Sequence, residues 1–451
     1  MTMARKSSSS KHSRRGCRRA IKQIGTLICE FYFIMRVLLV VAYYYILNWL
    51  GYDENISFQQ CVRELGELNM FFVKAFQSLS TNTRMLSQEQ IDFLTVYTDD
   101  VPFEKSEVNP EFIDSIQQTC DQYGYNCNFD DIALYNPMKS GMIALVYRAK
   151  LDSRDIVIKV MRKGVKRKLT DALRKVNLLV SLLNYIPSVK NFQLTTLLSE
   201  NWNSLLLQTD FVKEMNNMQQ MYDNCRHTSY LAIPRVYHEF TQNNNSVIVM
   251  TYLEGRKLEE LQDNEKDKYS LLVAKFGMKC LLFNRFYHAD LHPGNILFMK
   301  DGKEYRIGIL DYGVMGEITK EEQDAFYRFI LCLSKTKDYK TMADIIIDEL
   351  VSPVNSVEKL EIYDRNMLHE ELGIVVGTIF DTKRSMSAND IYRINEVLRK
   401  YGVCLSRSFC KIELSLAIAD SVTEKLSYNS SYIDNVKLAI ESVFDNNFVY
   451  T

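Results

Sequence analysis

"HADLHPGNILF", residues 288–298, gathers two of the chain's six histidines, an aspartate, a glycine and an asparagine within eight positions. Asp290 and Asn295 put a carboxylate and an amide oxygen on one loop. Downstream, "DYG" places a second carboxylate, Asp311, at the end of an apolar run. Phosphoryl transfer needs a carboxylate near the nucleophile, hard oxygen ligands for Mg²⁺, and a cation on the nucleotide phosphates. "IVIKV" supplies the cation as Lys159, and "DFVKEMNNM" offers Glu214 to hold it. Singly, Lys159 reads as a strand lysine, Glu214 as a solvated helix residue and "DYG" as a turn. All four features in one order point to a phosphoryl-transfer site. A metal site on His288 and His292 is disfavoured, because Pro293 and Gly294 break the helix that would align them. The two histidines are expected to support the loop.

These residues need elements to hold them. "IALVYRAKL" and "DIVIKVM" are β-branched runs around a "DSR" turn, so Lys159 is expected on a hairpin strand. Helical patterning covers 165–230 and carries Glu214. A second strand pair is expected from "IPRVYHEF" and "SVIVMTYLEG" around a "TQNNN" turn. A helix over about 264–286 leads into the opening loop. Strands "ILFM" and "YRIGILDYG" around "KDGKE" then present Asp311, and the pattern from about 319 onward is helical. Upstream, 57–97 reads as helical, "TDDVPFEKSEVNPEF" as a boundary near 100, and "NPEFIDSIQQTC" as one more capped helix. The order is a mixed α and β arrangement, a small sheet-rich lobe before a helical one.

With 451 residues, two or three domains are expected. Seven prolines and 17 glycines are few, which favours long helices over an all-β fold. A net charge of −1 gives no reason to expect nucleic acid. The ten cysteines form no C-x-x-C pair, which argues against structural zinc and disulfides and for a reducing compartment. The first 29 residues hold eight Lys or Arg and no acid. They read as a disordered basic tail (1–30), with an organelle transit peptide and a lipid-attracted polybasic arm as alternatives. "FYFIMRVLLVVAYYYILNWL", residues 31–50, is long and apolar enough for a bilayer. It is expected to associate with a membrane as a span, a re-entrant helix or a surface helix, and not as a secretory signal, since no small-residue cleavage site follows.

Residues from about 60 to 330 resemble the UbiB family of atypical kinases, which support ubiquinone and other isoprenoid-lipid metabolism. That family's catalytic loop reads much like "FHADPHPGNIL", and here it is "YHADLHPGNILF". Its "DFG" corresponds to Asp311-Tyr312-Gly313. "IPRVYHEF…VIVMTYLEG" resembles its hinge-side hairpin, and "LSQEQIDFLTVYTDDVPF" its linker into the kinase domain. The resemblance implies an α+β, protein-kinase-like bilobal fold: a small β-rich N-lobe (about 126–254), a helical C-lobe (about 255–451) and a helical N-terminal extension (57–125). It implies that Lys159 binds nucleotide phosphates and pairs with Glu214, that Asp290 is the catalytic-loop aspartate, and that Asn295 and Asp311 hold Mg²⁺. ATP and Mg²⁺ are the implied cofactors. Membrane lipid or isoprenoid-lipid biosynthesis components are the implied partners, at a mitochondrial or other organellar membrane.

The family's K-x-G-Q helix limits access of protein substrates. It corresponds to "FVKAFQSLS", giving Lys74 and Gln77 with Phe76 at the glycine position. Its alanine-rich nucleotide loop corresponds to "NPMKSGMIALVYRA", where Lys139, Ser140 and Gly141 replace alanines and Leu145 replaces a glutamine. Gly141 is the residue of that loop expected to approach nucleotide. The E-x-D motif reads Gln208-Thr209-Asp210, so its glutamate is lost while Asp210 remains. Two further readings stand beside a membrane-associated kinase or ATPase. One is a catalytically silent nucleotide-binding scaffold at a membrane, motivated by these departures. The other is a small-molecule kinase of the aminoglycoside or choline type, whose loop is similar.

Overall fold

The scarcity of helix breakers is visible at once. No proline precedes Pro102, and helix α1 runs unbroken over Lys6–Trp49. A computed structural model describes residues 6–79, 86–99, 101–128, 134–183, 205–353, 356–382, 388–426 and 432–444. The chain divides into two compact units, 1–109 with 134–146 and 161–209, and 110–133 with 147–160 and 210–451. Packing groups the helix that follows the Lys159 strand with the N-terminal helices.

The first unit contains α1, α2 (Glu54–Leu68), α3 (Met70–Leu79), α4 (Gln88–Asp99) and α6 (Val165–Leu183). Helix α2 starts where Asp53 accepts a hydrogen bond from the Ile56 N–H, 2.9 Å. Phe33, Ile34, Val37, Val40 and Tyr44 of α1 form one core with Val62, Leu65, Phe76, Leu94, Val176 and Leu179. Helix α1 begins at Lys6, and nothing in the sequence between Lys6 and the apolar run breaks it; residues 1–5 of the basic tail lie outside the described residues. Residues Ile24–Trp49 are long and apolar enough to cross a membrane. Phe76 is buried in this core and stacks on Phe72, ring centroids 6.3 Å apart. Its bulk therefore fills the first unit itself. Lys74 lies on the same helix, half-buried; the side chain of Gln77 lies outside the described residues.

The same unit holds the turn between β2 (Lys139–Ser140) and β3 (Ala144–Leu151), where the Gly141 N–H donates to the Ala144 carbonyl, 2.9 Å. Ser140 is buried; its hydroxyl donates to the Val101 carbonyl at 2.6 Å and accepts from Arg162 Nη2 at 2.7 Å. Arg162 also donates to Glu107 Oε2 (2.9 Å), the Val101 carbonyl (2.9 Å) and the Pro102 carbonyl (3.2 Å). Lys168 pairs with the same glutamate.

The second unit is built on a sheet in the order β1 (Cys127–Asn128), β3, β4 (Arg154–Met161), β6 (Val247–Thr251). Asp152 and Ser153 both have positive φ, 48° and 66°, as a two-residue hairpin turn demands, so "DSR" is the turn the sequence suggested. Helix α5 (Glu111–Tyr123) ends at left-handed Gly124. The expected strand over "IPRVYHEF" is a correction. Pro234 cannot donate to a ladder, only β5 (Leu231–Ala232) and an isolated bridge at Val236 pair there, and His238–Asn243 is a helix, α8. Phe240 and Thr241 of α8 are buried, and the Thr241 hydroxyl donates to the Val247 carbonyl, 2.8 Å. Helix α7 (Phe211–Cys225) precedes this segment and α9 (Asp263–Lys279) follows it.

Strands β8 (Ile296–Asp301) and β9 (Glu304–Ile309) pair antiparallel around Gly302, with β5 parallel to β9. Short strands β7 (Phe286–His288) and β10 (Met315–Glu317) pair antiparallel. The rest is helical as expected: α10 (Lys320–Leu331), α11 (Tyr339–Glu349), α12 (Ile362–Thr382), α13 (Ala388–Lys400), α14 (Arg407–Leu426) and α15 (Tyr432–Phe444). Among the described residues a two-stranded pairing of β11 (Val351–Ser352) with β12 (Cys404–Leu405) interrupts them.

Candidate active site

Lys159 sits on β4 opposite Ile248 of β6. Ile156, Ile158 and Val160 point to the other face and are buried, so the strand's period of two turns Lys159 toward the site. Its ammonium lies 2.5 Å from Glu214 Oε1 and 3.0 Å from Asp311 Oδ2. The three side chains are 15%, 1% and 33% exposed, so Asp311 is the most open of them.

Asp210 explains why Glu214 is there. Its side chain accepts from the Lys213 N–H at 3.1 Å, capping α7, and its carbonyl takes the Glu214 N–H at 3.0 Å. One turn beyond Glu214, the Asn217 amide donates to the Tyr312 carbonyl, 2.9 Å. Helix α7 thus holds both the lysine and the backbone beside Asp311. Asn217 escaped the sequence reading, since its partner is 95 residues away and no local pattern announces it.

The loop at 288–295 is fixed through its backbone. Its ends are zipped by β7 and β10, and the Ala289 N–H donates to the Val314 carbonyl, 3.0 Å. His288 Nδ1 accepts from the Asp290 N–H at 3.1 Å, which leaves the proton on Nε2 to donate to the Asp311 carbonyl at 2.7 Å. Both ring nitrogens are therefore engaged inside the fold, and burial holds the imidazole pKa below its ordinary value. His288 ties the Asp290 loop to the Asp311 turn. Asn295 donates its amide N–H to the Asp290 carbonyl, 3.1 Å, which leaves the amide oxygen as the end available to a ligand. Gly316 faces Tyr287 so closely that an added Cβ would stand 2.2 Å from its ring. Only glycine permits that packing.

The electrostatics follow from this arrangement. Burial pushes the Asp311 carboxyl up, but the Lys159 ammonium and the Gly313 N–H, 2.8 Å from Oδ1, outweigh it and hold the pKa well below the carboxylate range. Burial pushes Glu214 up to about 7 against the pull of Lys159. Burial opposes charge on Lys159 too, yet Asp311 and Glu214 together raise its pKa above the ordinary lysine value. The result is a fixed cation with one deeply buried partner and one partner that is partly open.

Asn295 and Asp311 offer an amide and a carboxylate oxygen, the hard donors Mg²⁺ takes alongside water and phosphate oxygens. Among the described residues there is no group of three His, Cys, Asp or Glu that could hold a metal by itself. The donor set fits a metal bound jointly with a nucleotide. Of the residues expected at the site, the second unit brings together Lys159, Glu214, Asp311, Asp290 and Asn295, with Asp210 as the cap behind them. Gly141 and Lys74 belong to the first unit.

An α+β, protein-kinase-like frame carrying this cluster defines an ATP-using phosphoryl-transfer enzyme of the atypical-kinase class. Residues 108–346, more than half of the chain, match the ABC1 atypical kinase-like domain, and the chain belongs to that family. Among solved structures, it is similar to Rv3197 from Mycobacterium tuberculosis in complex with erythromycin. The two are 16% identical, with 96% of this chain and 97% of that chain covered and a TM-score of 0.44. It is also similar to the Rio2 kinase from Chaetomium thermophilum in its ADP/Mg²⁺-phosphoaspartate complex. Here the identity is 13%, the coverage 73% and 94%, and the TM-score 0.28. Both likenesses are too remote to bear on the chemistry.

Proposed function

We propose that the protein is a membrane-associated atypical kinase or ATPase of the UbiB type, using ATP with Mg²⁺. The observation that carries this reading is Lys159 held between Glu214 and Asp311, with Asp290 tied to the same turn through His288 and Asn295 tied to Asp290. In this reading Lys159 neutralises nucleotide phosphates while Glu214 fixes its position. Asp311 and Asn295 would hold Mg²⁺, and the metal would neutralise charge on the phosphates. Asp290 orients the attacking hydroxyl or water and accepts its proton. Gly141 belongs to the loop that approaches nucleotide, and Lys74 and Gln77 to a regulatory helix, by the family pattern. An isoprenoid-lipid setting at an organellar membrane follows from the same resemblance. Binding is tested by titrating Mg²⁺-ATP into the full chain and following the melting temperature. The wild type should be stabilised and Lys159→Met should not; equal stabilisation of both would sink the assignment.

A further inference from the structure

Helix α1 has two apolar faces. Glu30, Phe33, Ile34, Val37, Val40 and Tyr44 are buried in the first unit. On the opposite side Ile28, Phe31, Leu38, Tyr45, Ile46 and Trp49 are bare, and that stripe runs from Ile24 to Trp49. Three polar contacts fix the inner face along its middle. Arg174 Nε lies 2.7 Å from Glu30 Oε1, Arg36 pairs with Glu64 at 3.8 Å, and the Tyr44 hydroxyl donates to Glu64 at 2.7 Å.

From Glu30 to Tyr44 is about 21 Å along a helix, most of a hydrocarbon core about 30 Å thick. Were α1 to span a bilayer with the 31–50 run centred, Arg36 and its partner Glu64 would sit about 7 Å from the midplane. The exposed Arg63 and Glu67 of α2 would follow them into hydrocarbon. Stripping α1 from α2 and α6 would instead open the core they share. An interfacial helix avoids both costs, since it buries only its outer face by about 5–10 Å. The basic residues of the first turns, with no acid before Glu30, supply charge complementary to anionic headgroups.

We infer that α1 lies in the plane of an anionic membrane surface, its bare face in the lipid and its inner face on the first unit, and does not cross. This rests on the membrane-association reading above, and the experiment separates the two. Single-tryptophan forms of the full chain are made by Phe31→Trp, Leu38→Trp and Tyr45→Trp in a Trp49→Phe, Trp202→Phe background; the native chain has two tryptophans. Each is bound to phosphatidylcholine vesicles with and without phosphatidylglycerol and quenched by lipids brominated at different acyl depths. Binding should be at least about tenfold tighter with phosphatidylglycerol. All three tryptophans should be quenched equally, and most strongly by bromines near the headgroup. A graded profile, deepest at position 38, would establish a span and overturn the inference. Lipid-free dimers whose formation blocks vesicle binding would assign the face to a second copy and overturn it too. Failure to float with either vesicle would remove the membrane reading itself.

Discussion

Two of the buried charge clusters among the described residues are built differently. Around Arg162, which is 7% exposed, the guanidinium satisfies Glu107, Ser140 and two backbone carbonyls at once, stitching residues 101–107 to the 140–143 turn. Around Lys159, a point charge has two carboxylates, and one of them, Asp311, is a third exposed. An arginine fork whose two terminal nitrogens are each held by two protein acceptors has no partly open carboxylate to exchange. A lysine whose partner is partly open can trade that partner for phosphate oxygens. The comparison teaches that burial of charge alone does not mark a catalytic site; an exchangeable partner does.

That contrast can be broken in several ways. Asp290→Asn should lower kcat by about 10²–10⁴ while leaving the melting temperature close to wild type, because the His288 and Asn295 bonds run to its backbone. Arg162→Ala should do the reverse. It leaves Glu107 to Lys168 alone and takes a donor from Ser140, and should cost about 1–3 kcal/mol in denaturant unfolding, with turnover per folded molecule retained. Loss of turnover without loss of stability in Arg162→Ala would erase the distinction.

The pH dependence sharpens the same point. Asp311 is held below its unfolded value, so its stabilisation is full above about pH 4 and is lost as pH falls from there toward the depressed value. Melting curves of Asp311→Asn should therefore be flatter than wild type on the acid side. Glu214 has the opposite sign: with its carboxyl raised to about 7, its contribution fades as pH climbs from the ordinary carboxylate range to that value. Glu214→Gln should lack that decline. The smallest effect is expected from Asn217→Ala, which removes one buried hydrogen bond to the Tyr312 carbonyl and should cost about 1 kcal/mol by chemical denaturation.

Much of this was legible in the sequence because it is local. "DSR" specifies a two-residue turn, the β-branched run around Lys159 specifies a strand, and "HADLHPGN" concentrates its chemistry in one loop. The order of such pieces implied a small sheet-rich lobe before a helical one, and the family resemblance supplied the kinase-like fold. What was hidden is what depends on partners far along the chain. Asn217 is an ordinary helix residue until Tyr312 arrives, and Arg162 is an unremarked strand-end arginine until residues 101–107 fold onto it. The segment 233–240 failed for a different reason: its apolar residues suit a strand, but Pro234 and the anchoring of Phe240 and Thr241 decide for a short helix. The apolar run of α1 could be recognised but not its two faces, since periodicity is invisible where nearly every residue is apolar.

Asp311, partner of Lys159 in this structure, is proposed to hold Mg²⁺ beside the nucleotide phosphates. ATP hydrolysis by the purified full chain, wild type against Asp311→Asn, tests it most directly. Wild type should turn over only with Mg²⁺, and the variant should fall by about 10²–10³ while remaining folded at the assay temperature. Equal Mg²⁺-dependent turnover by the two proteins would contradict the account.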